Sequence, residues 1–213
     1  MVELAEGVPV FINPDKDSNY KITAQQLESA ITDKTKMLML NSPNNPSGSV
    51  FTEQEYLEFS KVLLKYPNII IVSDEIYEHI NYGVKSVSFA SLPGMYDRTV
   101  TVNGISKAYA MTGWRIGYLG APKVIAKACN KMQGQITSGA NCIAQRATIK
   151  ALEESPEKIQ YMVDEFNIRR DFIIDLVTKI NGFIIKEPPM GAFYIFPNIS
   201  ELFGKTFKDV TVN

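Results

Sequence analysis

Three apolar runs recur along this chain at the spacing of a parallel strand–helix–strand unit. Each run ends in polar residues, and Asn45, Asp74 and Lys107 follow the three runs at intervals of 29 and 33 residues. A strand, its crossover helix and a second parallel strand together take about 30 residues. Because the carboxyl ends of parallel strands meet at one edge of a sheet, the three polar groups are predicted to converge there. The pattern therefore predicts an α/β fold with a site at that edge.

Helix signals lie between these runs and after them. Capping boxes at Thr23–Gln26 and Thr52–Glu55 each precede apolar residues at helical spacing. A long helix is predicted to begin with Ser155 as its cap and Pro156 in its first turn, and to reach about Ile180. Such a helix is longer than a compact domain of this size needs. Further helices are predicted near 123–133 and 140–153, and strands at 183–187 (FIIKE) and 191–197 (GAFYIFP).

The segment Gly104–Gly117, GISKAYAMTGWRIG, places one lysine and one arginine around a single turn. Seven residues separate Lys107 from Arg115, too few for a parallel crossover, so the strand at 116–120 is predicted to run antiparallel to its neighbour. The arginine then lies beside the end of the strand that carries the lysine. A lysine in a partly dry site can form a Schiff base, and the planar fork of arginine binds phosphate. The pair suits an aldehyde with a phosphate tail.

The same segment resembles, throughout its length, the pyridoxal-phosphate attachment motif of the class I/II aminotransferases, the aspartate aminotransferase family. The resemblance implies a three-layer αβα large domain of the pyridoxal-phosphate transferase type. Its sheet would be mainly parallel with one antiparallel strand, and the start of a small α/β domain would follow. The resemblance also implies that Lys107 binds pyridoxal 5′-phosphate as a Schiff base and acts as the catalytic acid and base, and that Arg115 anchors the phosphate.

Two further segments fit the same cofactor. By resemblance, Asp74 would pair with the protonated pyridine nitrogen, and Tyr77 would hydrogen-bond the phenolic oxygen. Asn45 opens an Asn-Pro-Ser-Gly turn that resembles the family's Asn-Pro-Thr-Gly turn, whose asparagine bonds the same oxygen and approaches the substrate carboxylate. A carboxylate near the ring nitrogen raises the pKa of that nitrogen and so preserves the electron sink. Taken alone, Asp74 is also compatible with a residue that caps a turn, and Tyr77 with a ring in the core. The turn at Asn45 is also compatible with an ordinary loop.

The resemblance divides the chain into two parts. Residues 1–154 are expected to form an incomplete cofactor-binding large domain, and residues 155–213 the interdomain helix and part of a C-terminal small domain. We find no counterpart of the family's Gly-rich phosphate turn or of the small-domain arginine that binds the substrate carboxylate. The chain is therefore expected to be a fragment of a longer enzyme and inactive on its own. Inside the motif, Gly104 replaces the Ser or Thr of many members, which leaves Ser106 as the candidate hydroxyl for the phosphate.

Composition agrees with a soluble enzyme. The net charge is −1 and 45% of the residues are apolar, so nothing indicates a nucleic-acid or membrane partner. The lone histidine, His79, cannot anchor a zinc site, and no metal is expected. Cys129 and Cys142 are interpreted as core residues of helices rather than a disulfide, and the cytoplasm is the expected location. Amino acids and 2-oxo acids are the expected substrates, and the full-length protein is expected to be a homodimer.

Other interpretations remain open at this point. The run IIIVSDE also resembles the strand of a nucleotide-hydrolysing domain, but that class needs a GxxxxGK[ST] loop, and the 213 residues contain none. A catalytically silent member of the family, retained as a binding module, is a second alternative. Within the family, the same fold and lysine also serve β-lyases and synthases. The sequence therefore indicates the cofactor but leaves these reaction classes open.

Overall fold

A four-stranded sheet forms the centre of the chain. The computed structural model describes residues 2–15 and 18–212. The strands lie side by side in chain order, β1 (Met37–Asn41), β2 (Ile70–Asp74), β3 (Thr99–Gly104) and β4 (Gly117–Gly120). The first three are parallel, and β4 pairs antiparallel with β3. The prediction of an α/β fold with a mainly parallel sheet and one antiparallel strand is confirmed.

The described residues form helices where the sequence predicted them. These are α1 (Ala24–Ala30), α2 (Glu53–Leu64), α3 (Lys123–Ile136), α4 (Cys142–Glu153) and α5 (Gln160–Val177). Both capping boxes are present, because the hydroxyls of Thr23 and Thr52 accept the backbone N–H of Gln26 and Glu55, whose side chains accept in return. Among these helices, none combines the length and apolar character that a bilayer span requires.

The core lies between the helices α1 and α2 and one face of the sheet. Tyr56, Phe59 and Leu63 of α2 are buried in one cluster with Leu40 of β1 and Ile71 of β2. Burying each of the leucine, isoleucine and phenylalanine side chains in this set contributes about 1.5–3 kcal/mol relative to leaving it exposed. This packing fixes the crossover helix on the sheet and holds the ends of β1 and β2 in register.

A buried arginine ties the end of α2 to the start of β3. The Arg98 guanidinium donates hydrogen bonds of 2.5–3.0 Å to the carbonyl oxygens of Leu63, Tyr66 and Ile69. These carbonyls lie at and just beyond the C-terminus of the helix, where the backbone lacks intrahelical partners. Burial lowers the pKa of Arg98 from its ordinary value. The contact sets the position of the strand that leads to Lys107.

Two predictions about the last third of the chain were wrong in detail. Segments 183–187 and 191–197 do not form strands; their ladder contacts are two isolated antiparallel bridges, Ile184 with Asn198 and Gly191 with Asn81. Ala192 has a φ of 55°, which interrupts an extended backbone. Among the described residues, a hairpin near the C-terminus is instead formed by β5 (Thr206–Phe207) and β6 (Val210–Thr211).

The long helix is also shorter than predicted. Ser155 does cap the element, but Pro156–Ile159 form a 3-10 turn, and α5 follows and ends at Val177. The cysteines lie in α3 and α4 as predicted. However, Cys142 is exposed and Cys129 half-buried, so the interpretation of both as core residues was wrong. No side chain of α3 is buried among the described residues.

Candidate active site

The ends of three neighbouring strands meet at one edge of the sheet. Asn41 at the end of β1 pairs in register with Asp74 at the end of β2, and Asp74 pairs with Val102 of β3. Gly104, the last residue of β3, faces Gly117, the first residue of β4. The register therefore brings three groups to the same edge, as the sequence predicted: Asp74, the loop that carries Lys107, and Arg115, two residues before β4.

Asp74 is half-buried, and hydrogen bonds from neighbouring residues fix both its carboxylate and its backbone carbonyl. One carboxylate oxygen accepts the N–H of Ile76 at 3.2 Å, and the Asp74 carbonyl oxygen accepts Asn41 Nδ2 at 3.1 Å and the N–H of Ser42 at 3.2 Å. Among the described residues, no lysine, arginine or histidine forms an ion pair with this carboxylate. Its charge is therefore free to interact with a cationic group of a ligand.

Asn45 lies in the turn that follows β1. Its N–H donates to Asn41 Oδ1 at 2.8 Å, and its side chain is exposed. Within the turn, Asn44 Oδ1 accepts both the N–H and the hydroxyl of Ser47, at 3.1 and 2.7 Å. Gly48 has a φ of 69°, and a Cβ there would lie 2.4 Å from Pro189 Cβ. The turn therefore packs closely against residues 189–194, which follow α5.

Tyr77 is buried, and its hydroxyl lies 2.6 Å from the hydroxyl of Tyr194. Burial raises the pKa of Tyr77 well above its ordinary value, and the hydrogen bond with Tyr194 raises it further. The side-chain amide of Asn45 acts in the opposite direction, and the negative charge of Asp74 adds to the rise. Asn45 and Asp74 therefore both lie close enough to Tyr77 to affect its hydroxyl.

Lys107 is half-buried between two aromatic rings. Its Nζ lies 5.8 Å from the ring centroid of Tyr77 and 5.8 Å from that of Phe193. The two rings contact each other edge to face, 5.5 Å apart. No carboxylate of the described residues forms an ion pair with the amine. Ring faces attract the protonated amine only weakly compared with a carboxylate, so the amine stays available for a ligand.

A cavity of about 520 Å³ opens beside the lysine. The loop after β3 forms one wall, and α5 and Phe193 form the other. The lining residues are Ser106, Lys107, Ala110, Thr112, Tyr161, Met162, Glu165, Phe166, Arg169 and Phe193. A volume of this size suits a small molecule with a ring and a charged tail.

Arg115 lies at the same edge but is exposed. It has a left-handed backbone with a φ of 52°, and its Nη1 donates to the carbonyl oxygen of Thr112 at 3.1 Å. Thr112 Oγ1 in turn donates to the carbonyl oxygen of Ser106, next to Lys107. A chain of contacts thus connects the arginine to the lysine loop and leaves the other guanidinium nitrogens to bind an anion.

The donor set fits pyridoxal 5′-phosphate. The structure offers an unpaired amine for the aldehyde, an unpaired carboxylate for the ring nitrogen, a phenol and an amide for the phenolic oxygen, and a guanidinium for the phosphate. Two residues that contact the site, Phe193 and Tyr194, were not predicted from the sequence. The GAFY pattern that contains them was noticed but assigned to a strand, and no local signal indicated that it would contact Tyr77.

The chain matches known proteins along nearly all of its length. The sequence profile of the family described as "Aminotransferase class I and II" matches residues 1–211. A bifunctional aspartate aminotransferase and glutamate/aspartate-prephenate aminotransferase of Petunia hybrida is 44% identical over 208 residues, covering 96% of this chain and 43% of that protein. A probable aspartate/prephenate aminotransferase of Rhizobium leguminosarum bv. phaseoli is 43% identical, covering 97% of this chain and 52% of that protein.

Solved structures agree with these relatives. The aspartate aminotransferase of Rhizobium meliloti superimposes with a TM-score of 0.91 at 41% identity, covering 95% of this chain and 51% of that one. The aromatic aminotransferase of Pyrococcus horikoshii OT3 gives a TM-score of 0.85 at 36% identity, covering 92% of this chain and 52% of that one. The chain thus spans about half the length of the proteins it matches.

Proposed function

The chain belongs to the class I and II aminotransferase family, and we propose that the full-length protein transfers an amino group between an amino acid and a 2-oxo acid with pyridoxal 5′-phosphate. The observation that carries the proposal is the position of Lys107. Lys107 lines a cavity beside the sheet edge, and its amine has no carboxylate partner among the described residues. Asp74 ends the neighbouring strand at that edge but is not one of the residues that line the cavity. The names of the relatives support aspartate-like or aromatic amino acids as substrates.

Lys107 has two roles in this proposal. Its Nζ would hold the cofactor through the aldehyde carbon. When free, the same amine would act as the acid and base that moves a proton at the substrate Cα. The rings of Tyr77 and Phe193 flank Nζ, each centroid 5.8 Å away, and so restrict the positions that the amine can take at the sheet edge.

The other residues position and polarise the cofactor. When bound, pyridoxal phosphate supplies an electron sink for the charge that develops at the substrate Cα. We propose that Asp74 keeps the ring nitrogen protonated, since its carboxylate lacks a cationic partner among the described residues. Tyr77 would donate to the phenolic oxygen, Asn45 would lie near the same oxygen, and Arg115 would bind the phosphate through its exposed guanidinium.

The organisation of the protein belongs to the same proposal. Residues 1–154 would form the cofactor-binding part, and residues 155–213 would contain the helix toward a second domain. The gap between α4, which ends at Glu153, and the turn that begins at Pro156 supports this boundary. We also propose that the full-length protein is a cytoplasmic homodimer, as the family resemblance implies.

The test is turnover by the purified full-length protein. Aspartate, glutamate, and aromatic amino acids would each be paired with 2-oxoglutarate, oxaloacetate or prephenate, and the new amino acid quantified. The proposal predicts transfer that requires added pyridoxal phosphate and is abolished in Lys107→Ala. Elimination products without a new amino acid would indicate a β-lyase instead, and the absence of cofactor-dependent chemistry in the wild type would refute the proposal.

A further inference from the structure

We propose that Tyr194 is a positioning residue for the cofactor site and acts through the hydroxyl of Tyr77. The two hydroxyl oxygens lie 2.6 Å apart although the residues are 117 positions apart in the chain. Their rings meet edge to face, with centroids 5.7 Å apart at an angle of 80°. The inference rests on the proposed function, because it concerns the hydrogen that Tyr77 would give to the cofactor.

The backbone holds Tyr194 in this position from several sides. The N–H groups of Met190 and Gly191 both donate to the carbonyl oxygen of Gly48, at 3.0 and 2.9 Å. The N–H of Ala192 donates to Ile80 at 2.8 Å, and the Tyr82 hydroxyl donates to the Ala192 carbonyl oxygen at 2.5 Å. The segment before Tyr194 is thus fixed both to the Asn45 turn and to the residues just after Tyr77.

Close packing reinforces these hydrogen bonds. Ala192 is fully buried, and a Cβ on Gly191 would lie 2.6 Å from Pro43 and 2.7 Å from Val50. A segment packed this tightly has little freedom to move its side chains relative to the sheet edge. The fold therefore holds the two hydroxyls in contact through tightly packed backbone.

The hydrogen count then assigns the direction of the bond. A tyrosine hydroxyl carries one hydrogen and accepts through two lone pairs. Without a ligand, either hydroxyl can be the donor, and the pKa of Tyr77 rises when Tyr77 donates. Once Tyr77 gives its hydrogen to the phenolic oxygen of the cofactor, Tyr194 must be the donor in the pair. A hydroxyl that accepts a hydrogen bond becomes a stronger donor, since bonded chains polarise one another. Tyr194 would therefore strengthen the bond from Tyr77 to the cofactor and hold the phenol at the correct angle.

This role has a spectroscopic consequence. A hydrogen bond to the phenolic oxygen stabilises its anionic form and so lowers the pKa at which the lysine-bound cofactor loses its proton. Weakening that bond raises the pKa. We expect Tyr77→Phe to raise the pH midpoint of the visible absorbance of the bound cofactor, and Tyr194→Phe to raise it by about 0.3 to 1 pH unit. In the double variant, the second substitution should add almost nothing.

The experiment has two arms on the full-length protein. In the first, denaturant unfolding of the cofactor-free protein is measured for Tyr77→Phe, Tyr194→Phe and the double variant. The two substitutions should be non-additive, because each removes the same hydrogen bond. Additive effects would mean that the hydroxyls do not interact and would overturn the inference whether or not the cofactor binds.

In the second arm, the absorbance midpoint is measured with cofactor bound. Tyr82→Phe is the matched control, because it removes another hydroxyl contact to the same segment and leaves the Tyr77–Tyr194 pair intact. An upward shift in Tyr194→Phe with none in Tyr82→Phe supports the inference. If the wild type shows the absorbance band but Tyr194→Phe does not shift its pH midpoint, the inference is overturned. If the wild type shows no such band, the proposed function itself is contradicted.

Discussion

Gly104 and Gly117 face each other across the β3–β4 pair so closely that a Cβ on Gly104 would lie 3.1 Å from Gly117 Cα. The same Cβ would lie 3.1 Å from the Ile116 carbonyl oxygen. Both neighbours are backbone atoms, which cannot rotate away. Lys107 follows Gly104 by three residues and Arg115 precedes Gly117 by two, so this contact brings together the backbone segments that carry the amine and the guanidinium.

We therefore expect Gly104→Ala to separate the two strands. Overpacking of this kind costs about 1–3 kcal/mol in the free energy of unfolding, measured by urea denaturation. It should also weaken pyridoxal-phosphate binding, measured by absorbance titration, because Arg115 moves away. Gly120→Ala is the control: it lies on the same strand pair, and a Cβ there meets nothing within 4 Å. Equal effects of the two substitutions would show that the close contact is unimportant.

We predict that Asp74 affects the turnover of transamination more than the binding of the cofactor. In the full-length protein, Asp74→Asn should lower transamination turnover about a hundredfold or more, because the ring nitrogen loses the charge that keeps it protonated. Lys107 and Arg115 remain, so the variant should still bind cofactor. Glu78→Gln is a suitable control, since that carboxylate lies in the following turn and accepts from Asn103 Nδ2. Near-normal turnover of Asp74→Asn would assign the aspartate a structural role.

Local signals predicted the helices and strands well because their causes are local. The Thr23 and Thr52 boxes satisfy backbone groups within four residues, and the apolar runs bury side chains at the strand period. The converging ends of β1, β2 and β3 followed from parallel order alone. Sequence reasoning thus placed Asp74, Lys107 and Arg115 at one edge before any contact was known.

Contacts across long sequence distances were not predictable in the same way. The strand prediction at 191–197 failed because the backbone groups of Gly191 and Ala192 pair with Gly48 and Ile80 instead of an adjacent strand. The Tyr77–Tyr194 pair depends on that docking. Cys142 was misjudged for a related reason: helical periodicity shows which face is apolar, but not whether another element covers it.

Glu75 predicts a pH dependence of stability. Its buried carboxylate accepts from Ser73 Oγ, Ser88 Oγ and the N–H of Phe89, but burial outweighs these bonds and raises the pKa of Glu75 above its ordinary value. The folded state thus holds this proton more tightly than the unfolded state. The contribution of Glu75 to stability is complete below the ordinary glutamate pKa and is lost as pH rises through the folded value.

Glu75→Gln keeps an acceptor but does not titrate. Its free energy of unfolding relative to wild type should therefore increase between pH 4 and pH 7, measured by denaturant unfolding of the cofactor-free protein. For Glu55→Gln, the free energy of unfolding relative to wild type should change with pH in the opposite direction. Burial raises the pKa of Glu55, but hydrogen bonds from Lys21 and Thr52 outweigh it and lower the pKa, so wild type should gain on that variant as pH rises. A flat difference for Glu75→Gln would contradict the assigned shift.

The central claim is that Lys107 binds the cofactor covalently, and borohydride reduction tests it most directly. The full-length protein is incubated with pyridoxal phosphate, reduced, digested and analysed by peptide mass mapping. The account predicts a phosphopyridoxyl group on Lys107, because its unpaired amine lies between Tyr77 and Phe193 at the edge of the cavity. Label on the surface lysine Lys61 or on Lys123 of α3, with Lys107 unmodified, would contradict it.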